Sequence, residues 1–210
     1  MLKKYKHISF DLDGTLVFTH KEYRHKIVPK VVKKLGGLIK DSYSIDRFWF
    51  EKNRDEIIKN DFNLDPKVFW LTFRNFDKPL KRVLFTEAFN DVEKSFKKLK
   101  KLGKTISIIS AAPNIILEHE IKKLNGAPYD YSFSIESNKY KEKPDPESFN
   151  FVLNQLNSIP QETVYIGNSE EDAHYAKNSG VDFIHIKRNE HKFDLKEHAI
   201  CIIKSLEELF

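Results

Sequence analysis

Hydrophobic positions along this chain follow two alternating rhythms. Short apolar, β-branched or aromatic runs at 7–10, 105–109, 131–135, 163–166 and 182–186 read as strands. Between them, apolar residues recur at helical spacing over 88–102, 114–124, 146–156 and 170–178. The first of these helical patterns is rich in lysine and is stopped by Gly103. Strands and helices in alternation predict a parallel sheet sandwiched between helices, with the chemistry where the strands end.

Residues 18–85 break the rhythm. They show no convincing strand and three helical patterns, at 21–35, 45–59 and 66–76. Both tryptophans, Trp49 and Trp70, and much of the phenylalanine fall here, as in a small bundle with its own aromatic core. The expected architecture is therefore α/β. A Rossmann-like three-layer core is assembled from 1–17 and 86–210, and a small all-helical domain spans 18–85.

Composition narrows this picture without overturning it. With 210 residues, 40% hydrophobic and 32% charged, the chain suits one sizeable domain plus a small accessory one. No apolar run is long enough to span a bilayer, and residues 1–10 are too short and too charged for a signal peptide. A cytoplasmic setting with no membrane partner is expected. The single cysteine, Cys201, excludes an internal disulfide and a cysteine metal cluster. Its neighbours Ile200, Ile202 and Ile203 favour a small core residue over a reactive thiol. A net charge of +5 and a pI near 9.0 invite a nucleic-acid reading. The lysine pairs, such as Lys33-Lys34, Lys97-Lys98 and Lys122-Lys123, are scattered on the outer faces of expected helices, so no nucleic-acid partner is expected. A basic balance also suits a small anionic ligand. The oligomeric state is not legible.

Four segments carry chemistry. Phe10-Asp11-Leu12-Asp13-Gly14-Thr15-Leu16 follows the first strand directly. Its two carboxylates can converge once the chain turns at Gly14, where they can hold a hard cation, attack an electrophile and handle protons. The same pattern is also a good turn sequence and a calcium-loop fragment. Ser110, with Ala111, Ala112 and Pro113, ends a strand and leads into a helix, as a phosphate cradle or a plain N-cap would. Lys143 in Lys141-Glu142-Lys143-Pro144-Asp145-Pro146-Glu147 stands just ahead of a proline-initiated helix and can neutralise phosphate, or belong to an ordinary exposed basic loop. Gly167-Asn168-Ser169-Glu170-Glu171-Asp172 is an acidic turn opening the last core helix, where helix-dipole charges are also at home.

In this order and at successive strand ends, the four segments resemble the haloacid dehalogenase superfamily. The likeness is to the branch with a helical cap inserted after the first motif, which includes phosphoglycolate-phosphatase-like and β-phosphoglucomutase-like enzymes. It covers the whole chain. Its most telling blocks are Lys143-Pro144-Asp145-Pro146-Glu147-Ser148-Phe149, Val164-Tyr165-Ile166-Gly167-Asn168-Ser169 and Ala176-Lys177-Asn178-Ser179-Gly180. The resemblance implies a magnesium-dependent phosphatase for a small phosphorylated metabolite. Asp11 would be the nucleophile, and Asp13 would protonate the leaving oxygen and then activate water. Ser110 and the Ala111 amide would hold phosphoryl oxygens, and Lys143 would neutralise them. Mg2+ would sit among Asp11, the chain between Leu12 and Asp13, and the fourth motif, with Asn168 and Asp172 as its ligands there. The resemblance also raises the expectation of a cis Lys143–Pro144 bond.

Two departures stand out. Relatives carry Gly-Asp in the fourth motif where this chain has Gly167-Asn168, and Ser/Thr-Asn where it has Ser110-Ala111. An amide oxygen still coordinates magnesium but lacks the charge, which predicts retained and weakened affinity, with Glu171 or Asp172 able to compensate. Dehalogenases generally lack the second aspartate, so Asp13 favours phosphate chemistry. A phosphomutase is the nearest alternative, and a non-catalytic binding protein is favoured by Asn168 alone. Selectivity is expected from 18–85, where His20, Arg24, Arg47, Arg54 and Arg74 are candidate substrate contacts and Trp49 and Trp70 candidate walls.

Overall fold

A computed structural model describes residues 2–51, 53–137, 139–188 and 199–210. Its strands are β1 (His7–Phe10), β2 (Val17–Thr19), β3 (Thr86–Ala88), β4 (Thr105–Ser110), β5 (Tyr131–Ser134), β6 (Thr163–Gly167), β7 (Asp182–Ile186) and β8 (Cys201–Ile203). Its α-helices are α1 (Lys21–Lys34), α2 (Ser42–Phe50), α3 (Arg54–Asn60), α4 (Pro66–Phe76), α5 (Pro79–Arg82), α6 (Val92–Lys101), α7 (Asn114–Ile121), α8 (Glu147–Gln155) and α9 (Glu170–Asn178). The chain divides into two compact units, Met1–Phe18 with Glu87–Phe210 and Thr19–Thr86.

The larger unit is the expected Rossmann-like α/β core. Six strands lie in the order β5-β4-β1-β6-β7-β8, every pairing parallel. β1 is central because both of its faces are covered: all four of its residues are buried. On one face Ile8, Phe10, Ile106, Ile108, Val164 and Ile166 pack with Val92, Phe96 and Leu99 of α6. On the other, Ile109, Phe133, Tyr165 and Phe183 pack with Phe149 and Val152 of α8 and Tyr175 and Ala176 of α9. Residues 92, 95, 96 and 99 are the buried face of α6, each large apolar side chain worth about 2 kcal/mol, while its lysines stay in water. Gly103, at φ +69°, lets the chain leave that helix.

The smaller unit is helical. Asp41 and Asp65 accept from Ser44 N and Val68 N and so start α2 and α4, with Pro66 in the first turn of α4. Phe48, Phe62, Phe69 and Phe73 form the centre of its core.

Three differences from the sequence reading have local causes. The single helix expected over 45–59 is two, α2 and α3, because Glu51 is extended at φ −85°, ψ 154°; Lys52 in that break lies outside the described residues. The helix expected from residue 88 starts at Val92, since Thr86–Ala88 form a strand paired with Val17–Thr19. β8 extends the sheet edge beyond the five expected strands, and Cys201 on it is partly buried against the core.

Candidate active site

Three neighbouring strands deliver the motifs to one edge of the sheet. Phe10 stands opposite Ile108 on β4 and Ile166 on β6, so Asp11, Ser110 and Gly167 emerge at adjoining strand ends. Asp11 N still donates to Ile166 O at 2.9 Å, which carries the pairing one residue beyond β1 and fixes the Asp11 backbone. The chain then turns tightly: Leu12 O accepts from Thr15 N, Leu16 N and Val17 N at 3.2, 2.9 and 3.1 Å. Gly14 closes this turn at φ +76°, a conformation that a side chain would oppose. The turn separates the two carboxylates by environment. Asp11 is buried, whereas Asp13 is exposed.

Lys143 connects three of the four motifs. Its ammonium donates to Asp11 Oδ1 at 2.7 Å, to Asp172 Oδ1 at 2.9 Å and to the Tyr165 hydroxyl at 2.7 Å. The Lys143 side chain is 4% exposed and that of Asp172 3%. The Lys143–Pro144 bond is cis. Burial alone would favour neutral lysine, but the carboxylates of Asp11 and Asp172 outweigh it and hold the ammonium charged well above its ordinary range. Burial drives Asp11 the other way, up to about 7, with the nearby Asp172 charge adding to it and Lys143 opposing both.

Asp172 owes its position to a capping box. Ser169 Oγ accepts from Asp172 N at 3.1 Å, while Asp172 Oδ2 accepts from Asn168 N, Ser169 N and Ser169 Oγ at 3.2, 3.1 and 2.7 Å. One oxygen thus serves the start of α9 and the other faces Lys143 and Tyr165. Asp172, expected among the ligands of a cation, accepts from the Lys143 ammonium. Glycine at 167 is required here, because a Cβ would stand 2.6 Å from the Asp172 side chain. Asn168 lies over the first motif: a Cβ on Gly14 would come within 2.1 Å of its amide nitrogen.

The Ser110 loop is held from the neighbouring strand. Ser110 is buried and its Oγ accepts from Ala112 N at 3.0 Å. Ser134 Oγ donates to Ala112 O at 2.6 Å, and Ser137 Oγ accepts from Asn114 N at 2.7 Å. Ala111, between these anchors, is exposed. Among the described residues no three of His, Cys, Asp or Glu gather as a metal site. The oxygen donors near the first motif are Asp11, Asp13 and the Asn168 amide.

The candidates in 18–85 belong to the helical unit. Arg47 donates to Glu51 at 3.0 Å and to Asp61 at 2.9 Å. Arg24 pairs with Asp46 at 2.6 Å, and Trp70 Nε1 donates to Asp55 at 2.8 Å. His20 precedes α1 and its backbone N donates to Phe85 O at 2.8 Å. The structure therefore joins Asp11, Lys143 and Asp172 directly and sets Asp13, Ser110 and Asn168 on the same strand ends. It gives Arg47 carboxylate partners within its own unit.

Tyr165 falls within one of the telling motif blocks, but its hydroxyl carries no role in the sequence reading. A tyrosine inside an otherwise aliphatic buried strand needs a partner for its hydroxyl, which is the signal that marks it.

A buried carboxylate, an ammonium beside it and a serine loop on the next strand thus meet at one edge of a parallel α/β sheet. The profile of the haloacid dehalogenase-like hydrolases matches residues 8–186, and this chain belongs to that family. It is similar to a phosphoglycolate phosphatase from Colwellia psychrerythraea, 26% identical over 83% of this chain and 81% of that one. A protein from Caldanaerobacter subterraneus named as a pyrophosphatase, PpaX, is 24% identical over 96% of this chain and 91% of its own. Among solved structures, a haloacid dehalogenase-like hydrolase from Streptococcus pneumoniae superposes with a TM-score of 0.78 at 18% identity, covering 98% of this chain and 97% of that one. A family hydrolase from Deinococcus radiodurans, solved with bound phosphate and sodium, gives 0.76 at 16% identity, covering 98% and 93%.

Proposed function

We propose that this chain is a magnesium-dependent phosphatase that hydrolyses a small phosphate monoester through an aspartyl-phosphate on Asp11. The observation that carries this reading is the 2.7 Å contact between Lys143 Nζ and the buried Asp11 carboxylate at the end of the central strand. The two relatives named as phosphatases support hydrolysis over transfer to a second sugar hydroxyl.

An Asp11 carboxylate oxygen attacks phosphorus as the bond from phosphorus to the ester oxygen breaks. Asp13, facing solvent, gives its proton to that departing oxygen. Asp13 then takes a proton from water, whose oxygen attacks phosphorus, and inorganic phosphate leaves with Asp11 restored. Lys143 offsets charge on both the nucleophile and the phosphoryl oxygens, while the Ser110 hydroxyl and the Ala111 amide hold those oxygens.

The donor chemistry fits a hard divalent cation: Asp11 and Asp172 share the single ammonium of Lys143, the exposed Asp13 follows Asp11 by two residues, and the Asn168 amide lies over Gly14. Asp11, the chain between Leu12 and Asp13, Asn168 and Asp172 would hold it, Asp172 also acting on the site through Lys143. When bound, Mg2+ offsets phosphoryl charge and lowers the proton affinity of Asp11. Because Asn168 is neutral, Asn168→Asp is expected to tighten Mg2+ binding about tenfold. Calorimetric titration showing equal or weaker binding would remove Asn168 from the cation site.

All the chemistry falls on residues of the sheet unit, which leaves 18–85 as the segment that sets selectivity. No described helix is long and apolar enough to cross a membrane; a cytoplasmic setting is part of the same reading, since the substrate class is a soluble metabolite. The test is hydrolysis of p-nitrophenyl phosphate with Mg2+, with chelator, and with Asp11→Asn. Turnover is expected to fall at least about a thousandfold in both controls. Undiminished turnover in Asp11→Asn would refute the nucleophile, and isomerisation of a sugar phosphate without phosphate release would make the chain a mutase.

A further inference from the structure

An ammonium has three N–H donors, and those of Lys143 have three acceptors. Two are the carboxylates of Asp11 and Asp172. The third, the Tyr165 hydroxyl at 2.7 Å, is neutral. That hydroxyl also donates to Asp172 Oδ1 at 3.3 Å, so Lys143, Tyr165 and Asp172 close a triangle. Two of its corners are rigid. Asp172 is fixed by the capping box, and the Tyr165 ring is wedged against Phe149, Tyr175 and Phe183, with centroids 5.3, 5.6 and 6.4 Å away. The rings of Tyr165 and Tyr175 also flank Lys143 Nζ at 5.4 and 5.5 Å. The Tyr175 hydroxyl is in turn bonded to Ser148 at 2.6 Å.

This arrangement has a consequence for Lys143. The lysine side chain is a long flexible stem, and an ammonium between two carboxylates can slide toward either one. A third acceptor on a strand, held by packed rings, defines a single point for it. We propose that Tyr165 is a positioning residue: its hydroxyl pins the Lys143 ammonium at hydrogen-bond distance from Asp11, in register with the nucleophile. The inference rests on the proposed roles of Asp11 and Lys143.

The experiment compares the wild type with Tyr165→Phe, which keeps the packed ring, and with Tyr5→Phe. The latter removes another tyrosine hydroxyl bonded to a carboxylate, here Asp182 at 2.7 Å, away from these strand ends. With p-nitrophenyl phosphate and Mg2+, Tyr165→Phe is expected to lower kcat about tenfold with KM within about twofold of wild type. Tyr5→Phe is expected to change neither. Independently of turnover, acetylation of Lys143 by acetic anhydride, followed by peptide mass spectrometry, is expected to be about fivefold faster in Tyr165→Phe and unchanged in Tyr5→Phe. Wild-type rates of either kcat or labelling in Tyr165→Phe would overturn the inference. An inactive wild type would instead sink the phosphatase reading, and the labelling rates would still decide whether Tyr165 holds Lys143.

Discussion

In the helical unit, Phe48 lies among the rings of Phe62, Phe69, Trp70 and Phe73, with centroids 5.8, 5.2, 5.4 and 5.5 Å away. In the sheet unit, a comparably deep position is taken by Lys143 between Asp11 and Asp172. The two interiors do different physical work. Aromatic packing removes large apolar surfaces from water and gains dispersion, and the one polar group among these rings, the Trp70 N–H, is satisfied by Asp55. A buried ion cluster loses hydration that its internal attractions barely restore, so it adds little to net stability. The helical unit keeps its charges nearer the rim, as with Arg24 and the partly exposed Asp46, and Arg47 with Glu51. The sheet unit places charge at the end of its central strand. On the proposed function, such a cluster serves chemistry rather than stability.

Both tryptophans lie in the helical unit, so tryptophan fluorescence reports that unit selectively. Phe48→Ala should remove about 4 kcal/mol from it and move the fluorescence-detected denaturant midpoint sharply down. An unmoved midpoint would mean that the aromatic cluster does not carry the unit.

The sheet unit should be most fragile at a different charge pair. Arg188 donates to Asp91 at 2.7 and 3.0 Å and to Thr15 O at 2.9 Å, while Asp91 also accepts from Ser205 Oγ and Leu206 N, both at 2.8 Å. Burial raises the Asp91 pKa, but Arg188 and these donors outweigh it and hold the carboxyl below its ordinary range. Asp91→Ala leaves Arg188 without its counter-charge and should cost about 3 kcal/mol, seen in the far-ultraviolet dichroism transition. A loss confined to the fluorescence transition would reverse the assignment of this pair to the sheet unit.

A smaller effect should appear with acid. His7 on β1 is buried, and burial depresses its pKa from 6.5 to about 4 against a weak opposing pull from Asp130. The folded ring stays neutral where the unfolded one binds a proton. Its contribution is complete above pH 6.5 and is lost as pH falls toward 4, amounting to about 2 kcal/mol by pH 5. His7→Gln should flatten the stability profile across that window, and an unchanged slope would exclude His7 as its cause.

Much of this was legible in the residue pattern. β1, β7 and α9 fall on the expected spans, and the motifs on β1, β4 and β6 reach one edge because parallel strands share direction. Short-range signals failed at specific places. Glu51 ends α2 without glycine or proline to announce it, and the three-residue β8 is too short for periodicity to register. The triangle of Lys143, Tyr165 and Asp172 was not legible either, because it depends on side chains converging across strands and helices. Asp172 reads in sequence as a cation ligand or a helix-start charge, and only its partners show it capping α9 and facing the lysine.

The central claim is that Asp11 carries the phosphoryl group while Asp13 moves protons. Asp13→Asn with p-nitrophenyl phosphate tests it most directly, since nitrophenolate leaves without a proton whereas the attacking water still needs a base. The account predicts a burst of about one nitrophenolate per enzyme and a phosphoryl group on the peptide containing Asp11 after acid quench. Steady turnover without a burst and with no adduct, or a phosphoryl group on any other residue, would contradict it.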